Sequence, residues 1–159
     1  MRKKILYLLL FVLIIIQFIR PTRNISTVTS PNNIATKYAV PDEVQQILKV
    51  SCYDCHSNNT NYPWYTNIQP IGWWMQNHVN EGKRELNFSE FTTYPAKKAH
   101  HKMEETAEQV EKKEMPLDSY TWIHKDAILS KAQIDVLSGW AKGIMKQIAS
   151  ENNLPETKK

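Results

Sequence analysis

The sequence predicts an all-α domain. Apolar residues recur at helical spacing in four separate stretches, and segments rich in asparagine, threonine and proline fall between them. No run of alternating apolar and polar residues reads as a strand. At 159 residues, one domain with terminal extensions is the natural expectation, and a hydrophobic content of 42% is enough for a small core.

The chain opens on Arg2-Lys3-Lys4, followed by an apolar run from Ile5 to Ile19 broken only by Gln17. Such a run is a signal peptide or a short membrane anchor. It is short for a span and close in length to a signal's apolar region. No small-x-small cleavage site follows it, because the flank is Arg20-Pro21-Thr22. The uncleaved anchor is therefore favoured. Positive charge ahead of the run keeps the N-terminus in the cytoplasm and sends the rest outward. The expected location is the periplasmic side of the cytoplasmic membrane, or the periplasm if the segment is removed. The expected division is a signal or anchor over 1–20, a tether over 21–39, the folded domain over 40–150 and a polar tail over 151–159. The tether is read from Thr, Ser, Asn and Pro with no apolar period.

Within the domain, Pro41-Asp42-Glu43 opens a first helix over 42–50. Proline suits the first turn, and the acids suit the positive end of the helix dipole. Val44, Ile47 and Leu48 give it one apolar stripe. Residues 58–70 read as a loop carrying Tyr62, Pro63, Trp64 and Tyr65. A second helix over 71–86 carries Trp73, Trp74, Met75, His78 and Val79. After a turn at Ser89-Glu90 and Tyr94-Pro95, a third helix over 95–113 places Ala99, Met103, Ala107 and Val110 near helical spacing. Glu114-Met115-Pro116-Leu117 breaks it, since a residue before proline avoids helical backbone. The last helix, over 130–150, starts at a capping box of Ser130 and Gln133. Its apolar face is Ile134, Leu137, Trp140, Ala141, Ile144, Met145 and Ile148.

Charge excludes one class of partner. The chain has 20 Lys and Arg against 16 Asp and Glu. Five of the basic residues (Arg2, Lys3, Lys4, Arg20, Arg23) and none of the acids fall in the first 24 positions. Removing those five leaves 15 basic against 16 acidic residues, a balance of −1. The domain therefore has no general attraction for a phosphate backbone, and no nucleic-acid partner is expected.

The chemistry concentrates in Ser51-Cys52-Tyr53-Asp54-Cys55-His56, which contains Cys-x-x-Cys-His and both cysteines of the chain. That pattern is the attachment sequence for one covalent haem c. Two thiols one helical turn apart can form thioethers to the two vinyl groups of a porphyrin, and the following histidine can bind the iron. A disulfide would leave His56 unexplained. A thioredoxin-like pair would need a βαβ setting, and a zinc site would need a second pair of ligands. A backbone carbonyl in the 58–70 loop is expected to accept the Nδ1–H of His56. The nearby aromatics are expected to pack beside the ring or to bond its propionates.

Met115 is the first candidate for the sixth iron ligand, because a short proline-bound loop can hold a thioether in place. Met75, Met103 and Met145 lie at helical spacing and read as core filler. His124 and His78 are the alternatives, giving bis-histidine ligation.

These residues resemble the bacterial haem-binding domain family, small single-haem domains behind an N-terminal export signal. The similarity runs from about Val40 to Trp140. It rests on Ser51-Cys52-Tyr53-Asp54-Cys55-His56-Ser57-Asn58, Tyr62-Pro63-Trp64-Tyr65, Leu86-Asn87-Phe88-Ser89-Glu90, Glu114-Met115-Pro116-Leu117 and Ser119-Tyr120. The resemblance implies a cytochrome c-like arrangement, with the 42–50 and 130–150 helices crossing beside the haem. The expected role is one-electron transfer outside the cytoplasm by a monomer, without enzyme activity, to a redox partner the sequence does not name. The alternative is a haem enzyme or sensor with an open or labile sixth position. There a distal histidine, His100 or His101, would serve weak peroxidase or gas chemistry.

Overall fold

The structure is a computed structural model that describes residues 1–155. It holds seven α-helices, and no strand occurs among the described residues. The helices are α1 (Arg2–Ile16), α2 (Asp42–Ser51), α3 (Tyr53–His56), α4 (Ile71–Glu85), α5 (Ala96–Glu111), α6 (Asp118–Thr121) and α7 (Lys131–Asn152). Short 3-10 turns occupy Ile34–Thr36, Trp64–Asn67, Phe88–Thr93 and Lys125–Ala127. The all-α expectation holds, and the four long helices of the domain begin and end within two residues of the ranges read from the sequence.

The core lies between α5 and α7, with α2 laid against α7. Ala99, Met103, Ala107 and Val110 of α5 meet Ile134, Leu137, Ala141, Ile144 and Ile148 of α7, all buried. The three alanines let the helix axes approach, and the larger side chains fill between them. Val44, Ile47 and Leu48 of α2 and Phe88 and Phe91 of the 3-10 turn complete the cluster. Each large side chain buried this way contributes about 1.5–3 kcal/mol of transfer free energy. The capping box forms in full at α7: Gln133 N–H donates to Ser130 Oγ at 3.3 Å, and Ser130 N–H donates to Gln133 Oε1 at 2.9 Å. Asn153, at φ 50°, ends that helix in the left-handed region, which asparagine tolerates better than most residues.

Two segments differ from expectation. Residues 21–39, read as a tether, lie against the domain. Ile34 is fully buried and Tyr38 nearly so, with the Tyr38 ring edge-on to Phe91 at 5.9 Å. Asn32 donates to Glu90 and accepts from the Thr92 amide. Ile25 and Val28 stay exposed, and Ile34 and Tyr38 are enough to seat the segment. From Ile5 onward, helix α1 is apolar on all sides, and it buries none of its residues. Among the described residues, no helix is long and apolar enough to cross a membrane.

Candidate functional site

Helix α2 delivers the cysteines. The chain leaves it through Cys52, and a further turn begins at Tyr53, where the amides of Cys55 and His56 both donate to the Cys52 carbonyl, at 3.1 and 2.9 Å. Cys52, Cys55 and His56 thus sit on one tight turn, with both thiols free. Packing pushes the Cys52 thiol up to about 12, with neighbouring Cys55 adding to the effect. It pushes Cys55 up to about 11, with Asp54 adding to it. Both are therefore neutral thiols near pH 7.

His56 places Nδ1 2.9 Å from the Leu86 carbonyl oxygen. A carbonyl only accepts, so Nδ1 carries the hydrogen and Nε2 keeps its lone pair. Burial holds the imidazole below its ordinary pKa, and so neutral. The accepting carbonyl therefore belongs to the residue after α4, not to the 58–70 loop. A main-chain oxygen has no side-chain signature by which sequence could find it.

Helix α4 lies directly on this turn. A Cβ added at Gly82 would stand 2.7 Å from the Cys55 carbonyl oxygen and 3.0 Å from Cys55 Cβ, so only glycine permits the approach. The segments flanking His56 are joined by one network. Asn58 donates to Glu90 Oε1 at 2.6 Å, its amide donates to Ser89 Oγ at 3.0 Å, and Asn87 donates to Asn58 Oδ1 at 2.8 Å. Two runs that are separate in sequence, 51–58 and 86–90, thus form one unit in space.

A cavity beside Cys55 is walled by Asp54, Tyr62, Met75, Val79, Tyr120 and His124, among others. Tyr120 donates to Asp54 Oδ2 at 2.8 Å and stacks on His124 at 4.2 Å between centroids, 11° from parallel. Burial, then the Asp54 charge, pushes the Tyr120 phenol far above its ordinary range. His124 Nε2 lies 2.7 Å from Tyr65 Oη. Tyr62 Oη donates to Gln76. The Tyr62 and Tyr65 hydroxyls thus have protein partners, while Trp64 stays 75% exposed.

The candidates for the sixth position separate. Met115 is half-buried beyond the end of α5, its amide donating to the Gln109 carbonyl at 3.2 Å. It does not line the cavity at Cys55, whereas Met75 does. Met103 is core as expected, and Met145 packs against the core. Met75 is a wall residue instead. His124 is engaged by two tyrosines. His78 has a buried Nε2 with no hydrogen-bond partner, its ring edge-on to Trp74 at 4.6 Å. His101 is solvent-facing and paired with Glu104 and Glu105, and His100 is buried.

The donor set fits a haem. It offers two thiols one turn apart and a neutral imidazole whose Nδ1–H is fixed on the Leu86 carbonyl, with the Met75 thioether on the cavity wall beside Cys55. Among the described residues, no group of three or more His, Cys, Asp or Glu side chains could hold a bare metal ion. Fold and site together define a small helical domain built around a thiol–imidazole turn. The haem-binding domain family model matches residues 11–143, and the chain belongs to that family. No curated protein and no solved structure matches the chain.

The sequence had no clear sign of three contributors: the Leu86 carbonyl, the Gly82 contact and the Tyr120–Asp54 bond. Gly82, one of only four glycines and set inside a helix, was the one available hint.

Proposed function

We propose that the protein carries one covalent haem c, attached through Cys52 and Cys55, and passes single electrons outside the cytoplasm as a cytochrome c-like domain. His56 would hold the iron from one side and Met115 from the other. The observation that supports this most is the His56–Leu86 bond, which fixes the imidazole with its free nitrogen beside two neutral thiols. When bound, the haem supplies a one-electron couple. The chain's own part is to orient His56, to raise its basicity through the Leu86 carbonyl and to keep the turn rigid through Gly82 and the Asn58 network. The laying of α2 against α7 accords with the cytochrome c-like arrangement. Helix α1, basic over Arg2–Lys4 and apolar from Ile5 onward, supports attachment to the periplasmic face of the cytoplasmic membrane. The domain is read as a monomeric carrier rather than an enzyme.

A second reading of the sixth position has one observation in its favour. His78 Nε2 is buried without a partner, as a nitrogen awaiting a ligand contact would be. It would give bis-histidine ligation and a lower potential.

The test is spectroscopic. Exported protein made with haem-attachment machinery is titrated potentiometrically and exposed, reduced, to carbon monoxide at neutral pH. A one-electron slope with resistance to the gas is the expected result. Rapid gas binding would overturn the carrier reading in favour of an open site.

A further inference from the structure

Gln17 is the one polar residue in the apolar run, and the structure shows what it does. Its side chain bonds the backbone of Gln69 twice: Nε2 donates to the Gln69 carbonyl at 3.0 Å, and Oε1 accepts from the Gln69 amide at 2.9 Å. The bonds continue down the chain. Trp73 Nε1 donates to the Ile19 carbonyl at 2.7 Å, and Arg23 pairs with Asn67. Asn24 then donates to the carbonyl of Ser57, the residue after His56, at 2.9 Å, and accepts from Lys83. Residues 17–24 are therefore a strap that runs from the end of α1 to the haem-attachment turn.

The foot of α1 is also apolar on the domain side. Ile68 and Ile71 straddle Gln69 and remain 44% and 42% exposed, and Phe18 and Ile19, which follow Gln17, are 83% and 57% exposed. The Gln17–Gln69 and Trp73–Ile19 bonds hold the two segments together. A 15-residue helix is about 22 Å long, short of the roughly 30 Å hydrocarbon core of a bilayer. Four apolar side chains around its base would extend the apolar depth at the end where the helix runs out. Arg20 is exposed there, placed to reach lipid phosphates.

We propose that the domain docks on the lipid surface through this collar of Phe18, Ile19, Ile68 and Ile71, held there by the Gln17 strap, so that α1 and the haem turn move as one body at the membrane face. This rests on reading α1 as a membrane segment. The occupant is lipid rather than protein because the collar is continuous with a helix that is apolar on every face from Ile5 onward, with Arg2, Lys3 and Lys4 in its first turn and Arg20 and Arg23 beyond its end.

The full haem-loaded chain is placed in phosphatidylethanolamine–phosphatidylglycerol vesicles. One nitroxide label is attached in turn at Leu9→Cys, Ile71→Cys and Lys131→Cys, since its own thiols are consumed by the haem. Collision rates with oxygen and with a water-soluble nickel chelate are then read. The expected result is lipid depth at position 9, protection from nickel at 71 and full nickel access at 131. Lipid depth at 9 with full nickel access at 71 would overturn the docking while leaving the anchor intact. Nickel access at 9 would overturn both. In Gln17→Leu, which removes both Gln69 bonds without adding charge, position 71 is expected to lose its protection while 9 stays buried. Unchanged protection at 71 in that variant would overturn the strap.

Discussion

His56 places its Nδ1 2.9 Å from the carbonyl oxygen of Leu86, thirty positions further along the chain. This bond makes the Cys52–His56 turn depend on α4, because Leu86 follows directly on that helix. It also leaves Nε2 as the one imidazole nitrogen with a lone pair to give.

The contact between α4 and the turn depends on Gly82. Gly82→Ala would place a methyl 2.7 Å from the Cys55 carbonyl oxygen, a backbone atom that cannot swing away. The variant is expected to lose about 1–3 kcal/mol, as overpacked sites do. Thermal unfolding followed by circular dichroism checks this, and an unchanged Tm would show that α4 shifts freely.

The sixth ligand can be assigned by difference. Met115→Ala is expected to abolish the long-wavelength thioether–iron absorption of the oxidised protein and to lower the potential. Met75→Ala should leave both in place. The reverse pattern would move the ligand to the cavity wall, and persistence of a low-spin spectrum without either methionine would point to His78.

The thiols should be sluggish before attachment. Burial raises Cys55 from 9.0 to about 11, so at pH 8 its thiolate fraction falls about 100-fold relative to an unfolded chain. Cys52, at about 12, falls further. The sign is that of a neutral acid favoured by burial, so reactivity recovers only as pH rises toward those values. Iodoacetamide alkylation of haem-free protein, with and without urea, measures the ratio. Equal rates would mean that the turn is open in solution.

The core makes a plainer demand. Met103 is fully buried between α5 and α7, and Met103→Ala is expected to cost about 2–5 kcal/mol. Denaturant unfolding gives the number. A loss below about 1 kcal/mol would mean that the α5–α7 seam collapses around the vacancy.

What could be read in the sequence was whatever a side chain writes into a pattern. The apolar stripe and capping box of α7, the stripe of α2 and the five-residue attachment motif are of that kind. What could not be read was made of main-chain atoms or isolated contacts. The Leu86 carbonyl has no residue type, and the Gly82 contact appears only when two helices are brought together. Ile34 and Tyr38 seat a polar segment without any period. Met75 shows the limit of periodicity: its spacing is that of a core residue, but the face it occupies borders a cavity.

Covalent attachment of the haem is decided by mass spectrometry of exported protein after acid–acetone treatment. One macrocycle is expected to stay on the peptide that contains Cys52, Cys55 and His56, with neither thiol open to alkylation. Haem recovered wholly in the acetone, with both cysteines free to alkylate, would contradict it.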